Sequence, residues 1–354
     1  MEDPNATETL QALASNFNAE AENLSWCQIE SDPGVFTQLI RDFGCVGAQM
    51  EEIWSLDPDT FKSLEPIHGL IFLVKWLADE QPTGRVVSDL GNIYFAQQVV
   101  RNSCATQAII SLLLNLSHPD IELGETLTRF KHVTRELDPL SRGYCLSNEG
   151  KIRTAHNSFA RPRISLQPRS TFVVDEPQQD ESDADVYHFV GYMPIGEKLY
   201  ELDGLRMGPT ELAEIGPGQN WLDIVRPIIE ERMQRYSADD LNFNLMALVS
   251  DRQSFYESQI EQFQRRSLQM PKSQRESEMN HLLDRLRIEK EKNRQYRIEN
   301  TRRRHNYLPF IVELLKQMGK NGQLLPILKQ AQPYMPISFD GHVPNGAKDI
   351  DDSH

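Results

Sequence analysis

Apolar positions along the chain recur with two different periods, and the changes of period mark out its elements. Val35 to Phe43 repeats at helical spacing, while Val46 to Leu56 and Gly69 to Leu77 alternate or run apolar as strands do. Cys104 to Leu116 predicts a strongly apolar helix, and Thr126 to Leu137 a second one. Val186 to Leu202 predicts a hairpin and Phe243 to Val249 a last apolar strand. Between them, Trp221 to Tyr236 predicts a helix with Leu222, Val225, Ile228 and Ile229 on its apolar face. Helices interleaved with a few strands predict an α/β (α+β) domain over residues 23–250.

The flanks differ from this body. Residues 1–22 are polar, rich in Asn, Glu and Ala, and read as a flexible tail. After Ser250 the pattern turns helical: Tyr256, Ile260 and Phe263, then a break at Pro271, then Leu282, Leu283 and Leu286 on a helix starting near Glu278. Leu308, Ile311, Leu314, Leu315 and Met318 stripe a third helix, and Gly319 and Gly322 end it. These stripes are too small a core for an independent fold. The segment 251–331 therefore reads as a helical extension that packs on a partner or on the first domain. Residues 332–354 read as a disordered tail. Inside the domain, 160–186 lacks either period and carries Pro162, Pro168 and Pro177 among six acids, as a functional or disordered loop would.

Charge adds a division of labour. The net charge of −15 argues against general nucleic-acid binding. Residues 281–320 nevertheless carry net +6, leaving −21 on the rest, so two units with different partners are expected. The basic run Arg302 to Arg304 reads as a nuclear signal, a nucleic-acid patch, or, more often for such runs, a solvated helix face or a partner contact. Ile67 to Ala78, the longest apolar run, is too short for a bilayer. Met1-Glu2-Asp3 has neither the basic nor the apolar part of a secretory leader. The four cysteines are widely spaced, which fits neither a zinc site nor a disulfide framework.

One cysteine stands where chemistry is expected. Cys104 lies where a loop enters an apolar helix, in Asn102-Ser103-Cys104-Ala105-Thr106-Gln107-Ala108. A helix N-terminus offers unpaired N–H groups and partial positive charge, a setting that favours a nucleophilic thiolate. A buried structural cysteine would fit there too. His188, in Val186-Tyr187-His188-Phe189-Val190-Gly191-Tyr192, is the candidate base, although a strand histidine can simply be a satisfied core group. A turn over Pro194-Ile195-Gly196-Glu197 pairs residues whose numbers sum to 391, which sets His188 directly opposite Asp203. Their Cβ atoms would then be about 4.5–5.5 Å apart, close enough for the carboxylate to orient the imidazole. His132 and His156 are rival bases without a predictable acid opposite. Gln98, six residues before Cys104, carries an amide suited to an oxyanion, and spacing alone does not choose between it and Gln97.

At these residues the sequence resembles the ubiquitin C-terminal hydrolase family. Tyr94 to Gln107 is similar to the family's Gln-to-Cys motif, Tyr187-His188-Phe189-Val190 to its histidine motif, and Leu199 to Leu205 to its aspartate motif. Glu30 to Phe36 and Phe243 to Ala247 resemble its first signature and last strand. The resemblance implies Cys104 as nucleophile, His188 as general base and acid, Asp203 as orienter and Gln98 in the oxyanion hole. It implies a papain-like, knotted core with a central antiparallel sheet flanked by helices, followed by an α-helical C-terminal extension. Segment 160–186 becomes the crossover loop over the active site, whose acids would attract the Arg-rich ubiquitin tail.

The implied reaction cleaves amide bonds after the C-terminal glycine of ubiquitin and needs neither metal nor organic cofactor. Arg302 to Ile311 resembles the terminal region of the proteasome-associated member, whose helical extension docks on a proteasomal ubiquitin receptor and which also occurs with a chromatin-remodelling complex. The implied partners are ubiquitin conjugates and that receptor, in cytoplasm and nucleus, with no membrane. The rivals are a chromatin-directed histone deubiquitinase and a non-catalytic ubiquitin-binding scaffold.

Overall fold

The computed structural model describes residues 26–75, 83–160, 187–235, 244–266, 270–324 and 326–327. The readings placed on 1–22, on 161–186 and on 332–354 lie outside these residues. The chain forms two compact units, one up to Arg304 and one from His305.

In the first unit, helix α1 (Pro33–Asp42) precedes β1 (Ala48–Glu52), α2 (Pro58–Leu64) and β2 (Ile67–Lys75). Next come β3 (Arg85–Val86), α3 (Cys104–Asn115), α4 (Gly124–Thr134), α5 (Pro139–Asn148) and α6 (Gly150–Asn157). The hairpin β4 (Tyr187–Ile195) and β5 (Lys198–Leu202) leads to β6 (Thr210–Glu214), α7 (Trp221–Gln234) and β7 (Asn244–Ser250). Helices α8 (Arg252–Arg266) and α9 (Lys272–Arg304) complete it. The strands make one seven-stranded sheet in the order β1-β7-β2-β4-β5-β6-β3, antiparallel at every described pairing.

Strand alternation feeds two cores, one on each side of the sheet. Ile71, Phe189, Met193, Met246 and Leu248 join α1 and α3 in the larger one. Leu70, Phe72, Val190, Leu245, Ala247 and Val249 join Phe61 of α2 and Leu222, Val225 and Ile229 of α7 in the other. Helix α3 is apolar almost all round, and Ala105 to Leu114 is buried throughout. A helix of that kind belongs inside a core. It approaches the sheet where side chains are absent: Cβ atoms on Gly69 and Gly191 would meet Leu112 at 3.0 and 3.2 Å.

Two polar devices hold the shell. Arg142 donates to the carbonyls of Thr134, Arg135 and Phe95 at 3.2, 2.6 and 3.1 Å, which caps the C-terminal end of α4. Arg232 of α7 donates to Tyr192 Oη at 2.6 Å and to Glu201 Oε2 at 2.9 Å, a buried pair beneath the β4–β5 ladder.

Helix α9 docks on α1 by polar contacts rather than by the leucine stripe that the periodicity singles out; Leu283 is exposed. Asn300 Nδ2 donates to the Gly34 carbonyl at 2.8 Å and Arg41 donates to Asn293 Oδ1 at 3.2 Å. Arg303 reaches both Glu30 Oε2 and Asp32 Oδ2 at 2.9 Å, and Arg304 pairs with Asp42. Arg302 pairs with Glu299 at 2.6 Å. Arg303 and Arg304 thus meet acids of the chain's own first unit rather than standing as a solvated face. Helices α8 and α9 lie in the compact unit that ends at Arg304.

The second unit contains α10 (Leu308–Lys320), which buries none of its residues. Phe310, Ile311, Val312, Leu314 and Leu315 are all exposed or nearly so.

Candidate active site

Three stretches of chain converge at the N-terminus of α3. The first is the loop that leads into the helix. Asn102 adopts φ 63°, a left-handed conformation that Asn tolerates better than most residues. Its Nδ2 donates to the Trp26 carbonyl at 3.1 Å, which ties the turn to the start of the described chain. Ser103 occupies the N-cap but its hydroxyl caps nothing; it turns back to the Val100 carbonyl at 2.8 Å. The first-turn N–H groups of α3 are therefore left without a side-chain cap, beside the half-buried Cys104 thiol.

The second stretch is β4. His188 is buried, with Nε2 2.6 Å from Asp203 Oδ1. That bond leaves Nδ1 as the ring atom for Cys104, whose thiol lies within hydrogen-bonding reach. Burial opposes a charge on this imidazole. The Asp203 and Cys104 hydrogen bonds, with their negative charges, outweigh it and push His188 up to about 9.

The third stretch is the turn after β5. Asp203 is buried, which favours its neutral form, yet the bond to His188, the imidazolium charge, the Leu205 N–H at 2.9 Å and Arg206 hold its carboxyl below the usual range. The two shifts agree, and both describe an ion pair.

The hairpin register corrects the sequence expectation. The ladder pairs Ile195 with Lys198 and Gly191 with Leu202, so partner numbers sum to 393. The loop is only Gly196-Glu197, and Gly196 supplies the positive φ of 63° that a two-residue hairpin needs at its first position. His188 and Asp203 are thus offset by two residues and meet beyond the end of the ladder, where the chain turns after Leu202. An offset of two leaves unchanged which side chains share a face, whereas an offset of one would have parted them.

Gln98 joins the site from the side. Its backbone N–H donates to the Gly204 carbonyl at 2.7 Å, adjacent to Asp203, and its Nε2 donates to the Val100 carbonyl at 3.1 Å. Its Oε1 is buried without a partner among the described residues. Gln97 instead turns its amide towards Met207 Sδ, at 3.6 Å.

The rival bases separate cleanly. His156 is fully buried, with Nδ1 2.8 Å from Thr106 Oγ1 and Nε2 2.7 Å from the Cys27 carbonyl; burial holds it in the neutral form. His132 is exposed on α4. Cys45 is buried in the core, and burial pushes its thiol up to about 12, away from nucleophilic use. The structure sets Cys104 and Asp203 on either side of His188, and Gln98 reaches the same place through the Gly204 carbonyl. Asn102, directly before a helix and tolerant of left-handed φ, was the available signal for the tight turn.

Known proteins share this arrangement of chain. The model of "Ubiquitin carboxyl-terminal hydrolase, family 1" matches residues 26–234, and a second, "Ubiquitin carboxyl-terminal hydrolases", matches 279–324. Ubiquitin carboxyl-terminal hydrolase ubh-4 of Caenorhabditis elegans is 44% identical over 307 residues, covering 87% of this chain and 91% of that protein. The isozyme L5 of Dictyostelium discoideum is 36% identical over 344 residues, covering 88% and 96%. The crystal structure of Trichinella spiralis UCH37 bound to ubiquitin vinyl methyl ester matches with a TM-score of 0.61 and 39% identity, covering 77% of this chain and 99% of that one. The chain belongs to the ubiquitin carboxyl-terminal hydrolase family.

Proposed function

We propose that this chain cleaves amide and isopeptide bonds after the C-terminal glycine of ubiquitin through Cys104, His188, Asp203 and Gln98. The observation that carries the reading is the His188 imidazole, bonded on one nitrogen to Asp203 and facing Cys104 at the open N-terminus of α3. With the thiol proton already on His188, Cys104 Sγ attacks the glycyl carbonyl carbon. The resulting oxyanion accepts hydrogen bonds from the Cys104 N–H and the Gln98 amide. As the C–N bond breaks, His188 returns the proton to the departing amine, leaving a thioester. Water, deprotonated by His188, hydrolyses it and frees the ubiquitin carboxylate and the thiol. Asp203 holds the imidazole orientation and stabilises its charge throughout.

The test is reaction with ubiquitin bearing a C-terminal vinyl methyl ester, read by intact mass and peptide mapping. A single adduct on Cys104, absent from Cys104→Ala, supports the reading. No adduct in either protein would favour the ubiquitin-binding scaffold.

The cellular role rests on the second unit. Helix α10 exposes Phe310, Ile311, Leu314 and Leu315 together, an apolar face of the kind that lies in a partner's groove. With the resemblance of Arg302 to Ile311 to the proteasome-associated member, it supports docking on a proteasomal ubiquitin receptor, in cytoplasm and nucleus. Capture of proteasome base, lost in Phe310→Asp/Leu314→Asp, would support this; capture of nucleosomal partners instead would favour the chromatin role.

A further inference from the structure

Ser103 is a serine at the N-cap of α3 that does not cap. Serine at this position ordinarily accepts a hydrogen bond from the N–H two or three residues on. Here the hydroxyl donates in the opposite direction, to the Val100 carbonyl at 2.8 Å, and the residue is 5% exposed. The same carbonyl accepts from Gln98 Nε2 at 3.1 Å. A carbonyl oxygen has two lone pairs, so these two donors fill it. Because that oxygen can only accept, it also decides which end of the Gln98 amide faces it: the NH2 group, with Oε1 left buried and unpaired. One N–H is thereby tied, the amide plane is fixed, and the second N–H is left free to donate elsewhere.

We propose that Ser103 is a positioning residue for the oxyanion hole, clamping the Val100 carbonyl so that Gln98 presents its free N–H to the developing oxyanion. This rests on the reading of Gln98 given above. The hydroxyl has a second consequence by the same geometry: turned towards Val100, it leaves the first-turn N–H groups of α3 uncapped beside Cys104. Removing the hydroxyl releases one of the two donors that hold the Val100 peptide plane, so the plane can tilt and the Gln98 amide shifts with it. Small displacements of a group aligned with a transition state act on kcat more than on ground-state binding.

The experiment uses the full chain and ubiquitin carrying a fluorogenic C-terminal amide. Gln98→Ala, Ser103→Ala and the double variant are compared in kcat and KM, alongside the alkylation rate of Cys104 by iodoacetamide, a reaction with no oxyanion. Ser103→Ala is expected to lower kcat about tenfold, within the range that misplacement of an aligned group produces. KM and the alkylation rate should stay at parental values. In the Gln98→Ala background the further loss should vanish, because the clamp then has nothing to position. Should Ser103→Ala fold poorly, the isosteric pair Ser103→Thr and Ser103→Val replaces it, with Thr retaining activity and Val losing it. Full additivity of the two variants, slowed alkylation in Ser103→Ala, or equal activity of Thr and Val would overturn the proposal. If Gln98→Ala itself leaves kcat unchanged, it is the oxyanion reading of Gln98 that fails, and the clamp with it. If Gln98→Ala is impaired but Ser103→Ala is not, only the clamp fails.

Discussion

His188 Nε2 and Asp203 Oδ1 are 2.6 Å apart although the β4–β5 ladder never sets the two residues opposite each other. The contact is made by the turn that follows Leu202, not by strand pairing. Asp203 is fixed there by its own backbone: its side chain accepts the Leu205 N–H, and its carbonyl accepts the Arg206 N–H at 3.0 Å. The carboxylate is therefore held by its own turn as well as by the imidazole.

Replacing that carboxylate separates orientation from charge. Asp203→Ala is expected to lower kcat by on the order of 10²–10⁴, the range typical of a mispositioned acid–base group. Asp203→Asn should fall between it and the parent, because its amide oxygen can still accept from Nε2–H but carries no charge. Steady-state kcat on ubiquitin with a fluorogenic amide checks this. Parental activity in Asp203→Ala would remove Asp203 from the mechanism.

The raised His188 value sets a pH window. The group titrates at about 9 in the folded chain, above the ordinary 6.5. The folded state then holds the proton more tightly, so the stabilisation is fully present below about 6.5 and is lost as pH rises through about 9. Imidazole NMR should report a midpoint near 9 in the parent and lower midpoints in Cys104→Ala and Asp203→Asn. An ordinary midpoint in the parent would show that the ion pair does not form.

How much of this was legible in the sequence depended on what each buried face is made of. Helix α3, β2, β4 and β7 bury aliphatic side chains at regular spacing, and their periodicity shows. Helices α5 and α6 do not show, because the faces they bury mix Arg142, Gly143 and His156 with only Leu146, Ile152 and Ala155. Docking of α9 by Asn293, Asn300 and Arg303 is invisible to hydrophobic periodicity for the same reason. The register erred by two because Gly196 was placed at the second central position of its turn and in fact stands at the first. The Ser103–Val100–Gln98 arrangement runs through a main-chain carbonyl, which leaves no residue-type pattern to read.

Gly143 sets the position of the strand of chain that carries Gln97 and Gln98. A Cβ there would lie 1.9 Å from the Gln97 carbonyl oxygen, a backbone atom that cannot rotate away. Gln97 N–H is held from the same helix by the Pro139 carbonyl at 2.8 Å. Gly143→Ala must therefore push α5 and this loop apart, at a cost of roughly 1–3 kcal/mol for such overpacking. Thermal unfolding should show the lower stability, and kcat should fall with it because Gln98 moves. A parental melting temperature with parental kcat would mean that the loop has slack.

Arg303 bridges the last turn of α9 to the N-cap of α1 and the residue two before it. Its Nε meets Glu30 Oε2 and its Nη2 meets Asp32 Oδ2, both at 2.9 Å, while Asp32 Oδ1 caps α1 through the Val35 N–H at 3.0 Å. One carboxylate thus serves both helices. The guanidinium is 26% exposed, so solvent and salt screen the pair. Arg303→Ala should cost only about 1 kcal/mol and less in high salt. Asp32→Ala removes the same bridge and also the cap, itself worth about 1 kcal/mol, and should be the more destabilising of the two. Urea midpoints at low and high ionic strength distinguish the contributions: the Arg303 effect should shrink with salt and the excess effect of Asp32 should persist. Equal, salt-independent losses in both variants would assign the docking to packing of Tyr296 against Gly34, where an added Cβ would lie 2.7 Å from the ring, and not to charge.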